Sequence, residues 1–268
     1  MSCLESTFTA LRARHVRGLI AFVMASDPDA VRSADVIGAV DRAGADVIEI
    51  GVPYSDPVAD GPVIQRASER ARRAGGTLSG ALDLVASIRP HLRAPVVLFT
   101  YANPAFRMGI EAFAARVAGA GIDGVLVVDL PVEESLDLRT ALTKRGVDAI
   151  CLVSPTTSDA RLSAALGEAS GFVYAISRAG VTGTGAPDWD GVRPLVHRVR
   201  RETPLPVAVG FGISRPEHVS TAVQDADAAV VGSGLVAIVE QAADEPDLVA
   251  RVEAHVRWLR SGLTMRAS

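Results

Sequence analysis

The sequence predicts an α/β fold, a single (β/α)8 barrel spanning residues 1–268, on three observations. Eight short apolar runs recur along the chain, amphipathic stretches separate them, and no Ser/Gly-rich linker divides the 268 residues. Each run is rich in β-branched or aromatic residues and bounded by Gly, Pro or Asp, the pattern of a parallel strand buried on both faces. Eight strand–helix units without a break fit one barrel of this length. An open, doubly wound sheet is the alternative. It usually carries G-x-G-x-x-G after its first strand, whereas here the first strand ends "MASDPD", without glycine.

The elements follow in order. "GLIAFVM" (18–24) is the first strand, and "DAVRSADVIGAVDRAGA" after it repeats apolar residues at helical spacing, with an acidic start and a Gly stop. "DVIEIGV" (46–52) is the second strand. Residues 53–76 then hold a long loop and an extra helix before the next helix begins near Thr77. "PVVLFTY" (95–101) leads to the helix "GIEAFAARVAGAG", "GVLVVDL" (124–130) to "EESLDLRTALTKRG", and "VDAICLV" (147–153) to "SDARLSAALGEASG". The sixth strand, "GFVYAIS" (171–177), runs into the long Gly-rich stretch 177–191. "PVAVGFG" (206–212) and "AAVVGSG" (228–234) complete the set, the last opening a short helix. Loops that follow barrel strands sit on the active face. The chain therefore enlarges that face after strands 2 and 6, and glycine hinges make such loops candidate lids.

Composition narrows the function. Hydrophobic residues make up 49%, enough for a large core. The charge is 27 − 31 = −4, and the clustered basic stretches "ERARRA" and "HRVRR" have helical spacing and form solvated faces, so nucleic acid is not an expected partner. Lys144, the single lysine, lies at a helix end, which argues against a lysine-imine aldolase. Cys3 and Cys151 have no metal or redox spacing and are expected as reduced thiols. His15, His91, His197, His218 and His255 lack metal-ligand spacing and are expected at the surface. The N-terminal stretch has no long apolar signal core, and no apolar segment approaches the roughly 20 residues that span a bilayer. A soluble, cytoplasmic protein without a membrane partner is expected.

The chemistry starts at Glu49, inside the second strand. Val47, Glu49 and Gly51 point one way and Ile48 and Ile50 the other. The isoleucines suit the helix layer, which turns Glu49 into the barrel, where burial raises a carboxyl pKa towards neutral pH. On the residues alone, a structural glutamate paired with arginine or with backbone N–H groups remains the alternative. Asp60, in the loop directly after that strand, returns over the same mouth, and two carboxylates of unequal burial form an acid/base or binding pair. Asp56, which precedes Pro57, is turn chemistry or a partner contact. Gly212 ends the seventh strand and Gly232-Ser233 opens a helix after the eighth, the two loops where barrels build phosphate sites. "AGVTG" (179–183) offers a further N–H donor, and Tyr101 and Tyr174 are candidate substrate-binding hydroxyls or core residues.

"VIEIGVPYSDPVADGPVIQRA", "YANP" (101–104), "GVLVVDLPVEE" (124–134), "SPTT" (154–157), "GFVYAISRAGVTG" (171–183), "GFGIS" (210–214) and "VGSGLV" (231–236) run in order across nearly the whole chain. Together they resemble the tryptophan synthase alpha family. The resemblance implies a TIM barrel that cleaves indole-3-glycerol phosphate to indole and glyceraldehyde 3-phosphate, without metal or organic cofactor. It implies Glu49 as catalytic acid/base and Asp60 as the second catalytic carboxylate. Phe22, Phe99, Leu126, Phe211 and Tyr174 fall at indole-pocket positions. Thr182 matches a loop residue that orders Asp60, and Gly183, Gly212, Gly232 and Ser233 match a phosphate site. A beta subunit is the implied partner, in an alpha-beta-beta-alpha complex, through loops 53–60 and 177–191. A stand-alone lyase and a non-catalytic activator of beta are the alternatives. Met24 and Ser26 depart from the family pattern, where Thr and Gly are common.

Overall fold

The computed structural model describes residues 1–176, 189–210 and 212–265. Among these, the first half of the chain runs α1 (Cys3–Ala13), β1 (Gly18–Met24), α2 (Ala30–Arg42), β2 (Val47–Gly51), α3 (Pro62–Arg73), α4 (Leu78–Ile88), β3 (Val96–Thr100), α5 (Ala102–Met108), α6 (Ile110–Gly119) and β4 (Gly124–Val127). The second half runs α7 (Leu136–Thr143), β5 (Asp148–Ala149), β6 (Cys151–Val153), α8 (Asp159–Gly167), β7 (Val173–Ile176), α9 (Trp189–Glu202), β8 (Val207–Gly210), α10 (Pro216–Asp225), β9 (Ala228–Val231), α11 (Ser233–Gln241) and α12 (Leu248–Arg260).

Every strand pairing is parallel, in the order β5-β4-β3-β2-β1-β9-β8-β7-β6. The fifth predicted strand is two short ones, because it changes partner in its middle. β5 pairs with β4, and the Ile150 N–H still donates to Val125 O at 2.9 Å. One residue later β6 pairs with β7. Since Ile150 alone separates the two halves, the ring closes through the chain itself, which excludes the open-sheet alternative.

The barrel wall sorts side chains by the period of two. Ile48, Ile50, Val96 and Leu98 face the helix layer, with Val36, Ile37 and Leu82 packed on them in one cluster. Ile20, Phe22, Val47, Val97, Phe99 and Leu126 face inward in a second cluster. The inward direction of Glu49 follows, in register with Phe22 on β1 and Val97 on β3. Gly51, next inward on β2, yields space: a Cβ there would lie 2.5 Å from the Phe22 ring.

The far end of the barrel is closed by α1, which the sequence reading did not single out. Leu4, Phe8 and Leu11 join the interior cluster, and the Phe8 and Phe172 rings lie 5.7 Å apart. Burying each such side chain stabilises by roughly 1.5–3 kcal/mol. The helix starts on a reciprocal capping box between Ser2 and Glu5.

Around the mouth, α3 is the extra helix expected after strand 2, and Thr77 caps α4 where the sequence places its start, accepting from the Gly80 N–H at 3.1 Å. Pro62 sits in the first turn of α3, where its missing N–H costs nothing. Arg70 on α3 makes a fork to both oxygens of buried Asp27 at 2.9 Å and reaches Glu240 on α11 at 2.8 Å. Arg66 adds two bonds to Glu240 at 2.7 and 2.9 Å. These pairs lock α3 between the loop after β1 and the helix after β9.

Candidate active site

Glu49 is 1% exposed, and its Oε1 has no hydrogen-bond partner. Burial alone pushes its carboxyl up to about 8. At neutral pH it is therefore mostly protonated, which is the form of a proton donor rather than of a structural anion. Among the described residues no arginine pairs with it, which weighs against the arginine-paired structural glutamate that the sequence left open.

Asp60 ends the loop that leaves β2. The loop is pinned by Ser68 Oγ, which accepts from the Tyr54 N–H at 2.8 Å and donates to Tyr54 O at 2.9 Å. Gln65 Nε2 donates to Asp60 O at 2.7 Å. Asp60 is 3% exposed, and burial pushes its carboxyl up to about 6, opposed by a hydrogen bond with the Tyr101 hydroxyl. That hydroxyl also accepts from the Ala59 N–H at 3.1 Å, and the Tyr101 ring stacks on Tyr54 with centroids 4.9 Å apart. Tyr101 thus holds Asp60 in place instead of lining the cavity, where it was expected as a substrate contact.

One small cavity, about 40 Å³, joins these groups. It is lined by Glu49, Asp60, Phe22, Phe99, Tyr174, Ile64 and Val230, and at its other end by Gly212, Ile213, Gly232 and Ser233. The Phe22 and Phe99 rings meet edge to face at 5.3 Å. Tyr174 is buried, and burial together with the Glu49 charge drives its hydroxyl pKa upward. Its ring lies over Gly210, where a Cβ would come within 2.3 Å of the hydroxyl oxygen.

The glycine end is built from backbone. Gly212 adopts φ +78°, which favours glycine, and α11 starts after Gly232 with no side chain capping its first turn. Uncapped N–H groups at a helix start favour an anion. The arrangement therefore pairs an acid/base group and an ionisable partner with an anion-seeking end.

Of the residues singled out in the sequence, Phe22, Glu49, Asp60, Phe99, Tyr174, Gly212, Gly232 and Ser233 meet at this cavity. Leu126 is fully buried in the barrel interior but does not line it. Thr182, Gly183 and Phe211, and residues 177–188 of the sixth loop, lie outside the described residues. Ile64, Ile213 and Val230 were missed. The inward period of β9 points to Val230, and the i, i+4 spacing from Asp60 points to Ile64. Asp56 is exposed and accepts from its neighbour Ser55 at 3.0 Å. His255 corrects the surface expectation: it is half-buried against Trp258 at 5.3 Å, and its Nε2 has no partner. Ser26, where the resembled family commonly has glycine, adopts φ +62°.

The sequence model of the tryptophan synthase alpha chain family matches residues 8–263. The tryptophan synthase alpha chain of Solibacter usitatus is 43% identical over 267 residues, covering 100% of both chains. That of Burkholderia thailandensis is 47% identical, covering 98% of this chain and 97% of its own. Among solved structures, a Mycobacterium tuberculosis tryptophan synthase chain superposes with a TM-score of 0.91 at 35% identity, covering 99% of each chain. The alpha subunit from Legionella pneumophila gives 0.91 at 32%, covering 98% and 99%. With identities this high over whole chains, and a barrel that superposes end to end, the protein belongs to the tryptophan synthase alpha chain family.

Proposed function

We propose that Glu49 and Asp60 are the acid/base and ring-binding carboxylates of a retro-aldol lyase. The family reaction is cleavage of indole-3-glycerol phosphate to indole and glyceraldehyde 3-phosphate. The observation that carries the assignment is the unequal burial of the two acids on one cavity, about 8 for Glu49 against about 6 for Asp60. Near pH 7 the first is mainly protonated and the second mainly ionised, the two states this chemistry needs.

Neutral indole is a poor leaving carbanion, so C3 must first be protonated. Glu49 gives its proton to C3, and ionised Asp60 stabilises the cationic ring from the side of N1. The bond between C3 and the glycerol chain then breaks, and its electron pair returns to the ring. Glu49, now a carboxylate, takes the proton of the adjacent hydroxyl as the carbonyl forms, and is restored. Phe22 and Phe99 would flank the ring, and Gly212, Gly232 and Ser233 would take the phosphate. The cavity of about 40 Å³ is too small for a bicyclic ring, so substrate entry requires wall side chains to move. Glu49→Gln and Asp60→Asn, each assayed for indole release, test the assignment. Unchanged turnover in either variant would sink it.

A beta subunit is the proposed partner, in the alpha-beta-beta-alpha assembly, and the cytoplasm the proposed compartment. Among the described residues no helix is long and apolar enough to cross a membrane. Apolar side chains stand exposed beside the second and third strands: Val58 in the loop 53–60, at 72%, and Phe106 on α5, at 44%. Activation of indole release by added beta subunit supports the pairing. Full turnover without activation would favour a stand-alone lyase.

A further inference from the structure

A second cavity, about 480 Å³, lies away from the carboxylates, where the barrel wall parts. The ladder between β4 and β5 ends at Val125. Beyond it, β4 turns to its other neighbour, with the Val128 N–H donating to Thr100 O at 3.0 Å, while Cys151 begins the pairing of β6 with β7. The two edges separate, and the space runs outward between α7 and α8. Val127 and Leu152 from the strand region and Leu138 and Leu142 from α7 form its apolar walls.

The polar part of the wall is centred on Arg139. Its side chain is 14% exposed, and one terminal nitrogen meets Glu168 at 3.2 Å. Among the described residues the buried Nε has no hydrogen-bond partner. Glu168 is half exposed, so water weakens its hold on the guanidinium. A guanidinium carries five donors, and this one keeps unused capacity on the cavity wall. Ser154 Oγ, 2.9 Å from Thr156 Oγ1, supplies hydroxyls on the same lining. The other acid on the lining, Asp129, is engaged by the Ala102 N–H at 2.7 Å. Arg161, the second cation there, is paired with Glu133 at 3.4 Å.

A slot of several hundred cubic ångströms, lined by polar and apolar groups in about equal part and holding one under-used buried cation, has the make-up of a site for a small amphipathic molecule. We propose that this cavity binds a small amphipathic carboxylate, its apolar body against α7 and the β4 edge and its anion on Arg139. A modest turn of the guanidinium would offer two parallel N–H donors to the incoming carboxylate.

The probe is naphthalene-1-acetate, with the neutral naphthalene-1-acetamide as its control, on the intact chain. Binding is followed by calorimetry. The acid is expected to bind, and the amide about tenfold more weakly. Arg139→Gln should weaken the acid about tenfold while leaving indole release unchanged. Should Arg139→Gln fail to fold, Glu168→Gln decides instead, because removing the competing carboxylate should tighten the acid. Equal binding of acid and amide, no binding at millimolar probe, or an unmoved affinity in both variants would overturn the proposal. So would displacement of the probe by indole-3-glycerol phosphate, which would place it in the barrel mouth.

Discussion

Buried acids are not rare in this chain, but partners distinguish them. Asp227 is 4% exposed and meets Arg12, Arg17 and Arg200 at 3.4, 3.2 and 3.1 Å. Glu49 is buried more deeply and meets no cation among the described residues, the difference that suits it to the proton-carrying role proposed for it. Linkage gives the expected cost. Folding raises its carboxyl from 4.5 to about 8. Below pH 4.5 both folded and unfolded chains hold the proton. Between 4.5 and 8 only the folded chain holds it, so the stability that the protonated group confers is lost as pH rises, at about 1.4 kcal/mol per unit. Glu49→Gln should thus match the wild type near pH 4 and exceed it by up to about 5 kcal/mol above pH 8. Denaturant melts across that range check the sign; a constant difference would refute it. The same two groups set the activity profile. Asp60 must be ionised and Glu49 protonated, so kcat/KM should form a bell with limbs near pH 6 and 8. Tyr101→Phe removes the hydrogen bond that lowers the Asp60 carboxyl, and its acidic limb should move to higher pH while the basic limb stays.

At the scale of elements, two connections carry measurable energy. Arg70 is the cation beside Asp27, whose carboxyl burial pushes upward and Arg70 pulls down. Arg70→Leu leaves Asp27 2% exposed and unpaired, which should cost about 3 kcal/mol or more and loosen α3 at the mouth. Adding Asp27→Asn should recover part of that loss; if the double variant is no more stable than the single one, the pair is not what holds the helix. Ser26 sits at φ +62°, a conformation that costs a side-chain-bearing residue about 1 kcal/mol. Ser26→Gly removes that strain but frees the unfolded chain and deletes no hydrogen bond of the Ser26 N–H, which donates to Ser33 Oγ at 3.1 Å. A rise in stability of about 0.5 kcal/mol is expected in thermal melts. The strand elements were legible because parallel strands buried on both faces are apolar throughout. The break at Ile150 was not, because it depends on which neighbour each half finds. α5 was hidden by Pro104, which a helix tolerates in its first turn, where N–H groups have no helical acceptor.

On the scale of the whole molecule, the proposed chemistry and the proposed partner contact share one end of the barrel, since both are placed on the loops that follow the strands. This was the part most readily read from the chain: Glu49 from its inward phase, Asp60 from the loop after it, and the Gly212 and Gly232 turns from their place after the last two strands. What escaped reading was contact between distant segments, such as Tyr101 reaching under the second loop to Asp60. On that proposal, the shared end would tie catalysis to association. Tyr54 stacks on Tyr101 and its hydroxyl accepts from Asn103 Nδ2 at 3.1 Å, so the loop that carries Asp60 rests on α5. Phe106 lies three residues further along the same helix and is 44% exposed. A partner that covers Phe106 would press on the element that supports Asp60, giving a physical route from contact to activity. Phe106→Asp places a charge at that contact without touching a cavity residue. Basal indole release by the isolated chain should be unchanged, while the affinity for beta subunit should fall at least about tenfold, the cost of burying an unpaired charge. Titrating beta subunit against a fixed amount of each chain and following indole release measures both quantities. An unchanged half-maximal concentration would remove Phe106, and α5 with it, from the contact.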